Sequence, residues 1–113
     1  MIDMKKPRSG ASRLSMVLLV ALAAGGNAAS SEGFQAMMND ATERMHAAMH
    51  VPFTGDADRD FARMMIPHHQ GAIDMAMVEL RYGKDERVKR LAQEIIVSQK
   101  QEIEVMRLAL EEH

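Results

Sequence analysis

Residues 64–77 read MMIPHHQGAIDMAM, and the fold turns on how that stretch is taken. Its apolar positions recur every three or four residues, the period of an amphipathic helix. Yet it carries Pro67, the adjacent His68 and His69, and four methionines where leucine ordinarily does the packing. Pro67 withdraws the helix bond to the carbonyl of Arg63 and bends the chain one residue before His68. A bend there would widen the space between this helix and its neighbour.

Working outward, the same period holds from about Ala57 to Tyr82. Thr54 or Asp56 suits the cap, Asp58 and Asp60 suit the positive end, and Gly83 suits a left-handed stop. Upstream, a helix over about Ser31 to Met49 carries Phe34, Met38, Ala41, Met45 and Met49 on one stripe, and Pro52 and Gly55 mark the loop after it. Downstream, Asp85 caps a third helix reaching roughly Glu111. So short a link makes the second and third helices antiparallel neighbours. The expected fold is all-α: an antiparallel helical hairpin with an N-terminal helix packed across it, a bundle that dimerisation can complete.

The start of the chain reads differently. Lys5, Lys6, Arg8 and Arg13 precede an apolar run from Leu14 to Ala24, and GGNAAS follows with the small residues that a signal peptidase accepts. The run falls short of the ~20 apolar residues a transmembrane helix needs. Residues 1–29 are therefore expected to be a cleavable secretion signal, and residues 30–113 a single helical domain exported to the periplasm or beyond, with no membrane attachment after signal removal. From Ala29 onward ten basic side chains face fifteen acidic ones, a balance that repels phosphate backbones and argues against nucleic acid as a partner. The chain has no cysteine to staple a small secreted core. Nine methionines against four leucines in the same segment suggest that the thioether itself is wanted.

The third helix adds a second oddity. Its apolar stripe runs Val88, Leu91, Ala92, Ile95 and then meets Gln99 and Glu102 before returning to Met106 and Leu110. Buried polar groups need partners. With the turn centred near Gly83 and Lys84, antiparallel registration sets His68 opposite Gln99, Met64 near Glu102 and Ile103, Phe61 near Met106, and Met75 near Ala92. Met64, His68, Met75, Gln99, Glu102 and Met106 then converge. Imidazole and thioether together suit copper, Cu(I) above all and Cu(II) as well, with Gln99 or Glu102 as an orienting partner or a ligand. A satisfied hydrogen-bond network with methionines filling gaps is the plain alternative. His69, a quarter turn away, is a further candidate ligand. In MHAAMH (45–50), Met45 with Met49 and His46 with His50 form i, i+4 pairs able to chelate an ion from one face, or simply solvated histidines beside a core stripe.

Other motifs fail. DADRD (56–60) begins like a calcium loop, but Phe61 stands where glycine is required and Pro67 where the bidentate glutamate is required. Glu43 and His46 make one Glu-x-x-His pair, and a di-iron bundle needs two. No nucleophile elbow or glycine-rich phosphate loop occurs, so the chain is not expected to be an enzyme.

The segments DFARMMIPHHQGAIDMA (60–76) and LAQEIIVSQKQEIEVM (91–106) resemble domain-of-unknown-function family 305, a ferritin-like helical family with exported copper-binding members of the CopM type. The resemblance implies a helical bundle that binds copper through His and Met, at Met64, His68, His69, Met75, Gln99, Glu102 and Met106. Such a protein would sequester, buffer or pass on copper, handing it to a periplasmic copper-handling partner. Two other functions stay open: an iron- or manganese-dependent ferritin-like oxidase assembled in a homodimer from Glu43, His46 and Glu102, and a metal-free helical adaptor for a periplasmic protein.

Overall fold

The computed structural model describes residues 2–4 and 18–112, with the backbone alone for residues 18–29. Among the described residues there are three helices: α1 (Leu18–Met49), α2 (Ala57–Tyr82) and α3 (Glu86–Glu112). The all-α architecture expected from periodicity is the one observed. α1 begins earlier than the stripe from Ser31 suggested, and its helical backbone runs through the expected cleavage site near Ala28 and Ala29. The basic residues of the expected signal, Lys5 to Arg13, lie outside the described residues.

The helix ends follow from local chemistry. Asp56 caps α2, its carboxylate accepting from the Arg59 N–H at 3.0 Å. Asp85 does the same for α3 through the Arg87 N–H at 2.8 Å. Gly83 ends α2 but does not take the left-handed conformation expected of it. Its φ of −69° and ψ of 153° are extended, and its N–H donates to the Glu79 carbonyl at 2.6 Å. Three residues then suffice to turn the chain back as the predicted hairpin.

α1 does not lie across that hairpin. It packs on α2 alone, and among the described residues α1 and α3 do not meet. The reason lies in the two faces of α2. Ala62, Met65, Ile66, His69 and Ile73 recur at helical spacing on one side, and there Ile103, Met106, Ile96 and Leu110 of α3 complete the core. On the opposite side Gly71, Asp74, Met75, Val78 and Tyr82 face α1. The Phe34 ring meets Tyr82 edge-on with centroids 6.2 Å apart. Thr42 Oγ1 lies 3.9 Å from Met75 Sδ, and Arg44 reaches Asp74 Oδ2 at 3.3 Å. The result is a flat layer with α2 in the middle.

Gly71 sets the closeness of α1 to α2. Met45 Sδ, Cγ and Cβ already occupy the space a Cβ on residue 71 would take, with Cγ 2.6 Å and Cβ 2.7 Å from it. An alanine inside a helix ordinarily gains about 1 kcal/mol over glycine. Here overpacking costs about 1–3 kcal/mol, because the atom nearest the backbone of Met45 cannot swing aside. Gly71→Ala is therefore expected to lower the thermal midpoint, and an unchanged or higher midpoint in a calorimetric scan would contradict this packing.

Candidate functional site

The expected convergence around His68 does not form. His68 is exposed, and it is His69 that turns into the α2–α3 seam, with its side chain only 16% exposed. The displacement has a simple cause. The stripe of Phe61, Met64, His68, Ala72 and Met75 is less suited to burial than the neighbouring Ala62, Met65, Ile66, His69, Ile73 series, whose small and branched residues allow close helix approach. Phe61 accordingly stands 62% exposed instead of packing on Met106.

Glu102 does meet a histidine, as its place on α3 required. Its Oε2 lies 2.5 Å from His69 Nε2, approached from the flank of the seam where the carboxylate remains about half exposed. A carboxylate only accepts, so Nε2 carries a proton, which leaves Nδ1 as the ring nitrogen able to offer a lone pair. That Nδ1 is buried and has no hydrogen-bond partner among the described residues. Gln99, expected to orient His68, makes no hydrogen bond there and lies half-buried. Met106 is part of the core. Met75 lies near Ala92 as expected, both lining an apolar groove, and its sulfur faces Thr42.

A second locus gathers donors that the sequence placed apart. Where α1 ends and α2 begins, His46, Met49 and His50 share a groove of about 400 Å³ with Val51, Phe53 and Met64. His46 and Met49 of MHAAMH come from the last turn of α1 and His50 from the residue just after it. Met64 joins them from α2 and not, as registration with α3 suggested, the neighbourhood of Glu102. Met45, the fourth member of that motif, is occupied by packing on Gly71. The short loop between Met49 and Ala57 was the signal for this grouping, since it obliges the end of α1 to lie beside the start of α2. Among the described residues no three of His, Cys, Asp and Glu gather in a metal-holding group.

Asp60 holds the loop that walls this groove, a role the sequence did not reveal. Its buried carboxylate accepts from the Thr54 N–H at 2.9 Å, the Thr54 hydroxyl at 2.8 Å and the Gly55 N–H at 3.1 Å. Gly55 makes the turn at a φ of +94°, a conformation that suits glycine. The hydrogen bond from the Thr54 backbone, ahead of the other contacts, holds the Asp60 carboxyl below the usual aspartate range.

A single layer of three helices, with imidazole and thioether groups clustered at one end, defines a small helical protein with a mixed nitrogen and sulfur donor groove. By sequence the chain belongs to the family described as Domain of unknown function (DUF305), which matches residues 3–110. It is also similar to a protein of Acanthamoeba polyphaga mimivirus described as uncharacterized, with 44% identity over 55 residues, covering 49% of this chain and 36% of that one. This chain thus spans only about a third of that relative's length.

Two outcomes follow from this geometry. A carboxyl with a depressed folded-state pKa stabilises fully above its unfolded value, about 4, and that contribution fades as pH falls through the lower folded value. Thermal midpoints of the wild type should therefore drop below about pH 4. In Asp60→Asn the neutral-pH midpoint should already be lower and the acid drop shallower, while an identical acid profile would count against the loop staple. The adjacent histidines should also part company. His69→Ala is expected to cost about 1–2 kcal/mol in urea unfolding, whereas His68→Ala at its exposed position should stay within about 0.5 kcal/mol.

Proposed function

We propose that this protein is an exported copper-binding protein, of the kind the CopM-type, ferritin-like resemblance implies, and that Cu(I) is held in the groove of His46, Met49, His50 and Met64. The observation that carries this reading is the meeting of two imidazoles and two thioethers from different helices in one open groove. Thioether and imidazole prefer soft and borderline ions, and Met in place of Cys avoids thiol oxidation in an oxidising compartment. Phe53 and Val51 wall the groove with apolar surface, which lowers the water content around a bound ion. Copper supplies no turnover in this reading. The protein sequesters the ion, or releases it to a copper-handling partner through the exposed histidines.

His69 is a second candidate donor. A ring nitrogen that donates to a carboxylate while the other keeps its lone pair is the arrangement common to metal-binding histidines. The basic residues, apolar run and small residues at the start of the chain support export. Among the described residues no helix is long and apolar enough to cross a membrane.

Titration of the purified protein with Cu(I) against a competing chelator tests the proposal. The wild type should retain copper and melt at a higher temperature with it, since binding to the folded state alone raises the midpoint. His46→Ala combined with Met64→Leu should weaken retention at least about tenfold, the loss of about 1.4 kcal/mol of binding. His68→Ala should leave it unchanged. No retention and no shift in melting would leave the metal-free adaptor as the better account. Iron-dependent oxygen consumption would favour the oxidase.

A further inference from the structure

We infer that a second copy of this chain covers the α2–α3 groove lined by Met75, Leu91 and Ile95, its α3 lying antiparallel to α3 here, so that two hairpins close into a four-helix bundle. This inference is independent of any metal.

The first support is what a single layer lacks. Stable domains bury apolar surface between packed layers, and here α1, α2 and α3 form one layer only. Among the described residues no large side chain is fully enclosed, and the core is made of Ala, Val, Ile and one Met. The α2–α3 groove has a volume of about 310 Å³ and, apart from Glu79, an apolar lining. Val88 and Leu91 on its wall are 45% and 53% exposed. Ala72, Ala76 and Ala92 line it with small side chains that admit a close helix.

The second support is a second stripe on α3. Leu91, Ile95, Ser98, Glu102, Val105 and Ala109 alternate steps of four and three residues, the seam spacing of paired helices. This seam lies to one side of the row that packs on α2. Val105, at its far end, is 66% exposed. About a two-fold axis near Ser98, an antiparallel copy would set Val105 against Leu91 and Ala109 against Val88.

Charge chooses antiparallel over parallel. Residues 84–90 carry Lys84, Arg87, Lys89 and Arg90 against Asp85 and Glu86, a net of +2. Residues 102–112 carry Glu102, Glu104, Glu111 and Glu112 against Arg107, a net of −3. Antiparallel pairing lays each basic end on the acidic end of the other copy, where parallel pairing would lay like on like. The area suffices as well. α3 has 27 residues. At ~1.5 Å rise per residue and a contact width of ~16 Å, half its circumference, it buries roughly 600 Å² per copy, which clears the ~1,000 Å² total that specific interfaces require.

The absence of cysteine makes the test clean. Sedimentation equilibrium of the protein at tens of micromolar should give the mass of two chains, and Leu91→Glu should weaken association at least tenfold with its helical circular dichroism intact. Single cysteines then read the direction without depending on that variant. Treated with a short thiol cross-linker, Ser98→Cys should link to itself. Val88→Cys and Ala109→Cys should each stay single when alone and link when mixed. A one-chain mass for the wild type throughout that range overturns the proposal, as does self-linking of Val88→Cys equal to that of the mixture, which would mean parallel pairing.

Discussion

α2 must satisfy two neighbours at once, and this constraint shapes everything else in the structure. α1 and α3 both touch it and, among the described residues, do not touch each other. One side of α2 therefore has to offer small and branched residues to α3, and the other a glycine into which Met45 can settle. A helix with two apolar rows can do this, and His68 stands between the rows beside the exposed Phe61. The placement of every functional candidate descends from that division. His69 is drawn into the seam with α3, Met64 lies in the groove at the end of α1, and His68 is left to solvent.

Much of this was readable from the residues. Three helices, their approximate ends other than the start of α1, the capping aspartates and the hairpin follow from local signals, which act within a few positions of the residue concerned. The choice of seam was not. α2 has two adjacent stripes, one containing His68 and one containing His69, and a periodicity argument cannot rank them when both are largely apolar. Packing ranks them, because Ala62, Ile66 and Ile73 allow an approach that Phe61 and Met64 would obstruct. Glu102 was correctly expected to need a partner, but its partner sits one residue further on.

The groove at the end of α1 shows the reverse case. MHAAMH placed three of its lining side chains, His46, Met49 and His50, by spacing alone, and the arrival of Met64 required knowing how the loop returns. Asp60 had no such announcement. In the sequence it is one more acidic residue at a helix start, and only the fold shows its carboxylate turned back on Thr54 and Gly55. Buried carboxylates of this kind are hard to foresee because their partners are backbone N–H groups, which every residue except proline provides.

Contacts confined to consecutive helices also bear on how the molecule comes together and apart. Among the described residues every helix pairing joins a helix to the next one along the chain, so little loop entropy opposes any step, and such topologies lie at the rapid end of folding rates. The same arrangement lets α1 peel from α2 while the α2–α3 hairpin stays closed, in the manner of a stack that loses its end member first. The histidine and methionine groove straddles that parting line, so a transient opening of α1 would disperse its donors while leaving the rest of the fold standing.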